Sequence, residues 1–200
     1  METDREVPEL ETARAHKRRE TLARIAEAGL KLFMENGYEE TTLDAIAAAS
    51  GISRRTFFHY FTSKDDILLA YQKNAFLDAI PAATQRQSPD QSPIDVARNC
   101  LLDLASKHET KESMAADRLL RSTEALRKRK EAMFVEAEQI LTEALQKLWP
   151  DPARYEALRV VAMMAVGTLR LAMENARKAN GEYPLARYLR EGFDRLKQAI

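Results

Sequence analysis

Cysteine is almost absent: Cys100 stands alone in 200 residues. No disulfide can form within the chain, which suits a reducing, cytoplasmic setting. Glycine and proline are sparse too, at six and seven residues. Long stretches of Ala, Leu, Glu, Lys and Arg therefore run uninterrupted, and these residues favour helix. No window approaches 18 apolar residues, and the start METDREVPEL is acidic with no apolar core. Neither a membrane span nor a signal peptide is expected. The formal net charge is zero, so nucleic-acid binding would have to rest on local placement of charge. Catalytic patterns are missing as well. His16, His59 and His108 have no Cys or carboxylate at metal-ligand spacing, and there is no Gly-rich phosphate loop and no Gly-x-Ser-x-Gly. The expectation is a protein that is not an enzyme and holds no metal or cofactor.

What is present centres on residues 41–64, TTLDAIAAASGISRRTFFHYFTSK. Thr42 suits the N-cap of a short helix in which Leu43, Ile46 and Ala47 recur at helical spacing. Ser50-Gly51 stops it, and Ser53 caps a second helix from Arg54 to Phe61. The small Ala47, four residues before Gly51, lets the two helices cross closely. Ile46, Ile52, Phe57 and Phe61 would fill the crossing. This is a helix-turn-helix pattern, whose second helix enters the DNA major groove. At 100° per residue, Phe57 and Phe61 point to the core, and Arg55 and His59 point away with Thr56 and Phe58 beside them. Arg54 lies in the first turn. Arginine can pair bidentately with guanine, and Lys64 is placed for a phosphate.

The flanks supply support. A helix over residues 17–36 carries Leu22, Ile25, Ala26, Gly29, Leu30 and Phe33 on one stripe. Gly37 ends it, with Tyr38 folding back as its hydrophobic stop. The run His16-Lys17-Arg18-Arg19, ahead of a DNA-binding helix, could touch phosphates or a minor groove; a solvated helix start is the slightly favoured reading. From Arg14 to Lys64, nine basic residues face six acidic ones. Ser63 starts a fourth helix, expected to end near Ile80 before Pro81.

The segment LKLFMENGYEETTLDAIAAASGISRRTFFHYFTSKDDILLAY resembles the N-terminal domain of the TetR family of bacterial transcriptional regulators. The resemblance implies that Thr42 contacts phosphate, that Arg54, Arg55, Thr56 and Phe58 face the major groove, and that His59 and Lys64 contact the backbone. Where the family commonly has Tyr-Tyr-His-Phe, this chain has Phe58-His59-Tyr60-Phe61. The hydroxyl usual at position 58 is missing, and His59 would supply the phosphate bond, better so when protonated.

The expected fold is all-α: a disordered tail over 1–15, a three-helix helix-turn-helix domain over 16–63, a connecting helix over 64–80, and an effector-binding and dimerisation domain over 81–200. In the last, PAATQRQSPDQSP reads as a loop, Ser92-Pro93 as a helix start, and SKHETKES as a second loop. Helices are expected over 114–121, 123–149, 152–179 and 184–200. The resemblance implies a homodimer on a palindromic operator, acting as a repressor and released by a small, largely apolar effector. The stretch LLRSTEALRKRKEAMFVEAEQILTEALQKL is similar to a subgroup that binds acyl-CoA-like ligands. Leu101, Leu104, Leu119, Met133 and Phe134 are pocket candidates, with Ala137, Leu141, Met163 and Val166. Arg118 and Arg121 read as surface ion-pair partners. The last two helices are expected to pair with a second copy through Leu158, Leu169, Met173 and Leu185, with Leu189, Phe193 and Leu196.

Overall fold

The computed structural model describes residues 6–199, and all regular structure among them is helical. The α-helices are α1 (Glu6–Asn36), α2 (Leu43–Ala49), α3 (Arg54–Tyr60), α4 (Lys64–Phe76), α5 (Ile80–Gln85), α6 (Pro93–His108), α7 (Lys111–Leu120), α8 (Glu124–Leu148), α9 (Tyr155–Lys178) and α10 (Leu185–Ala199). Short 3-10 turns occupy Leu77–Ala79 and Pro152–Arg154. Among the described residues, no helix is long and apolar enough to cross a membrane.

Three expectations change. α1 begins at Glu6, so residues 6–15 are helix where a disordered tail was expected; residues 1–5 of that tail lie outside the described residues. The segment EVPELETARAH has no apolar stripe, yet most of its residues have good helix propensity, and Pro8 falls in the first turn, where an amide hydrogen is not needed. Pro81 does not stop a helix but opens one: it lies at the N-terminus of α5, after a 3-10 turn that ends the fourth helix early. Residues 80–85 are thus helical, and the loop expected from Pro81 shrinks to the stretch after Gln85. The second expected loop, SKHETKES, is mostly helix as well. α6 runs through His108, and α7 begins at Lys111, its first turn capped by the Thr110 hydroxyl accepting from the Ser113 amide at 3.1 Å.

The chain divides into two compact units. The first comprises the described residues up to Gln72 together with Ala115–Leu126; the second comprises Lys73–Met114 and the chain from Arg127 onward. In the first, Ile25, Leu30, Ile46, Phe57, Ile67 and Leu68 are fully buried, joined by Ala116, Leu120 and Leu126. A Cβ at Gly29 would lie 2.5 Å from Ile67 Cγ2, so glycine is what lets α1 and α4 approach here. In the second, α9 packs against α6 and α10, and α6 also packs against α5 and α10. Leu101, Leu104, Leu141, Val166, Leu189 and Phe193 lie at its centre.

Cys100 belongs to this second core. Its thiol is within 3.4 Å of the Thr84 hydroxyl, and burial pushes its pKa up from 9.0 to about 11, against a smaller lowering by Thr84. The thiolate is the reactive form, so a shift of this size costs about 100-fold in reactivity near pH 8 before exclusion of the reagent is counted. In the folded protein, Cys100 is expected to resist a thiol-reactive dye for as long as the second unit stays closed. The check is the rate of dye uptake with and without denaturant, and prompt reaction without denaturant would contradict this packing.

Candidate nucleic-acid interface

The geometry of the reading head begins with its caps. Thr42 accepts from the Ala45 amide at 3.1 Å and starts α2. Its hydroxyl hydrogen stays available to donate, which is what a phosphate oxygen requires. Ser50 closes α2, and Gly51 takes φ +65°, a conformation that costs a β-carbon residue energy. Ser53 accepts from the Thr56 amide at 3.1 Å and starts α3. Two short helices are thereby held in a fixed turn by three side chains and one glycine.

Packing then separates the faces of α3. Phe57 is fully buried and Phe61 nearly so, while Arg54, Arg55, Thr56, Phe58 and His59 are all exposed. Ile46 and Ala47 are buried and Ile52 is half-buried. The Phe57 and Phe58 rings meet edge to face at 5.3 Å, so Phe58 is braced from beneath.

Several side chains have partners that spacing could not show. Arg54 Nε lies 3.0 Å from Asp44 Oδ1, and its guanidinium sits 5.6 Å from the centre of the Phe58 ring. The Thr56 hydroxyl lies 2.8 Å from that of Ser53. Lys64 departs most from expectation. Its ammonium donates to the Tyr38 carbonyl at 2.7 Å and the Glu39 carbonyl at 3.1 Å, and lies 4.7 Å from the Tyr38 ring centre. The Tyr38 hydroxyl in turn hydrogen-bonds Asp65. Lys64 thus clasps the turn between α1 and α2 instead of standing free for phosphate. Arg18, from the basic run of α1, lies 5.1 Å over the Tyr60 ring at the end of α3. This brings an exposed cation of that run beside the end of the helix-turn-helix.

Of the pocket candidates, Leu101, Leu104, Ala137, Leu141 and Val166 are buried in one cluster, with Met133 and Phe134 packed against it. The structure does not bring Leu119 or Met163 to that cluster. Leu119 packs in the core of the first unit, and Met163 is 47% exposed. Arg121 pairs with Asp117 at 2.9 Å, and Arg118 is exposed.

The interface candidates all lie in the second unit. Leu158, Leu169, Leu189 and Phe193 are buried within their own unit, and Met173, Leu185 and Leu196 pack against the same cluster. Helical period identifies a stripe that must be covered but not what covers it. Lys130 was missed entirely. It is 8% exposed, and burial, assisted by the nearby charge of Arg177, lowers its pKa to about 8. In the sequence it lies inside the charged run RKRKE, which reads as a solvated face.

Residues 25–71 match the model of "Bacterial regulatory proteins, tetR family". The HTH-type transcriptional regulator TcmR of Streptomyces glaucescens is 35% identical over 82 residues, 40% of this chain and 36% of that protein. The chain spans less than half the length of each of the curated relatives that it matches. Among solved structures, the SmeT–triclosan complex superposes with a TM-score of 0.59 at 20% identity, covering 90% of each chain. Thermus thermophilus FadR, a TetR-family repressor in complex with lauroyl-CoA, also gives 0.59, at 23% identity over 86% of this chain and 91% of its own. At such identities these two speak for the fold over nearly the whole chain. The sequence match speaks for the helix-turn-helix itself: it is through residues 25–71 that this chain is similar to the tetR family of bacterial regulatory proteins.

Proposed function

We propose that the protein is a ligand-responsive, DNA-binding transcriptional repressor that reads a palindromic operator as a homodimer. The observation that carries this reading is the division of α3: Phe57 and Phe61 are spent on the core, while Arg54, Arg55, Thr56, Phe58 and His59 face solvent on a helix capped by Ser53 and preceded by one capped by Thr42. Core packing does not require two adjacent arginines there. Base edges do. Thr42, His59 and Arg18 supply the phosphate contacts, and Lys64 positions the α1–α2 turn. Selection of bound sequences from a random DNA pool at fixed salt is the test. An enriched palindrome is expected; binding without preference that disappears at moderate salt would instead leave a helical ligand-binding protein with a silent head.

The dimer contact falls on the outer face of α9. Val160, Met163 and Leu171 are 52%, 47% and 48% exposed, and they line up with Gly167 at helical spacing. A glycine inside a helix costs about 1 kcal/mol relative to alanine. A Cβ at Gly167 would meet nothing within 4 Å beyond its chain neighbours and the backbone of its own helix. A second helix crossing closely over this point gives the glycine a purpose. Val160→Glu with Leu171→Glu is expected to give monomers of unchanged helicity by sedimentation equilibrium. A variant that remains dimeric would move the interface elsewhere.

The effector is a largely apolar molecule with an acidic group, of which acyl-CoA-like ligands are one class, held by the second unit. The Met133–Phe134 segment beside the Leu101–Leu141 cluster supplies apolar, adaptable surface, and the buried Lys130 supplies a cation. Binding would change the separation of the two heads. Coupling of the usual size would lower operator affinity by about 5–150-fold, which lauroyl-CoA added to the operator complex would reveal.

A further inference from the structure

Arg54 is exposed, yet it is not loose. Asp44, in the first turn of α2, approaches its Nε at 3.0 Å, and the Phe58 ring lies under its guanidinium. The pair contributes little to folding, because both side chains are more than half exposed and surface ion pairs of this kind have small effects on stability. A carboxylate on a face that meets phosphates is also unfavourable in itself. A carboxylate suits the first turn of α2, but that does not account for its approach to Arg54.

The fork geometry of arginine supplies the reason. A guanidinium offers donors along its edges: Nε with one terminal nitrogen on the side, and Nη1 with Nη2 at the end. Asp44 stands as an ion-pair partner on the Nε side, and this contact leaves the terminal pair uninvolved. That pair is what a guanine O6 and N7 accept in bidentate recognition. With Asp44 beside its Nε and the Phe58 ring under its face, Arg54 is biased toward one orientation before binding, and part of the ordering cost is already met.

We propose that Asp44 is a specificity-determining residue, an ion-pair partner on the Nε side of Arg54 that biases the guanidinium to turn its terminal pair toward a guanine edge. The inference rests on the reading of α3 as the recognition helix. Asp44 would touch no base itself. It would act through Arg54 and repel misplaced alternatives, with discrimination gained at a cost in overall affinity.

The experiment compares the wild-type chain with Asp44→Ala, Asp44→Asn, Arg54→Ala and the double variant Asp44→Ala/Arg54→Ala, by pool selection and by affinity for a random duplex at one salt concentration. Arg54→Ala locates the base position that Arg54 reads. At that position, Asp44→Ala is expected to reduce guanine preference by about tenfold, with other positions unchanged. Its affinity for random duplex should rise, since a negative charge has left the face. Asp44→Asn, which keeps the shape and polarity of the side chain but not its charge, should fall between. In the double variant, removal of Asp44 should have no further effect on base choice. Retained guanine preference in Asp44→Ala would overturn the proposal and leave Asp44 as a helix-terminal charge. So would a uniform loss across all sequences accompanied by a lower melting temperature, the mark of a structural role. If the wild-type chain enriches no sequence at all, the reading of α3 fails first and the proposal falls with it.

Discussion

Replacing Arg54 and Arg55 together by alanine is expected to abolish sequence preference while leaving the fold intact. Both side chains are exposed on α3, and neither belongs to the core that Phe57 and Phe61 anchor. Each good bidentate pair discriminates by about 1–3 kcal/mol, and a symmetric dimer makes each contact twice. Loss of both arginines should therefore lower the ratio of operator to random-duplex affinity by several orders of magnitude, towards unity. Circular dichroism should be unchanged, because alanine suits a helix at least as well as arginine. Residual binding would remain through phosphate contacts and would fall steeply with salt. A double variant that still selects the wild-type palindrome would sink the assignment of these side chains.

Phe193→Ala is expected to have the largest effect on stability, and it separates two accounts of α10. The side chain is fully buried in the core of the second unit, among the largest such residues in the chain. Truncating a buried phenylalanine costs about 3–5 kcal/mol, a large share of the roughly 5–15 kcal/mol that holds a typical protein folded. Denaturant titration should show the second unit melting far earlier, with the shift independent of protein concentration. If Phe193 were instead a contact between copies, the variant would become monomeric with a nearly unchanged core. The neighbouring glycine points to the same packing: a Cβ at Gly192 would lie 2.8 Å from Thr168 Cγ2, so α10 already lies close against α9.

The helix-turn-helix was legible because its signals are local. Thr42, Ser53, Gly37 and Gly51 act on backbone groups within a few residues, and the alternation of Phe57 and Phe61 with Arg55 and His59 follows from helical geometry alone. Sparse glycine and proline similarly led to an all-helical fold. The start of α1 and the helix opened by Pro81 were missed because propensity and proline position there outweighed the absence of an apolar stripe.

Long-range choices were not legible. Lys64 reaches the turn at Tyr38 from 26 positions away, Asp44 meets Arg54 across a turn, and Arg18 reaches Tyr60 from another helix. No spacing rule encodes such pairs, since they depend on how the helices cross. The same holds for α9. Its sequence carries two apolar stripes, and only the fold decides that Leu158, Val166 and Leu169 close the unit while Val160, Met163 and Leu171 remain outside. Lys130 makes the point in reverse, as a lysine within a charged run that packing draws inward. Local hydrogen bonding and periodicity specify which helices form, but burial belongs to the packed assembly of all of them.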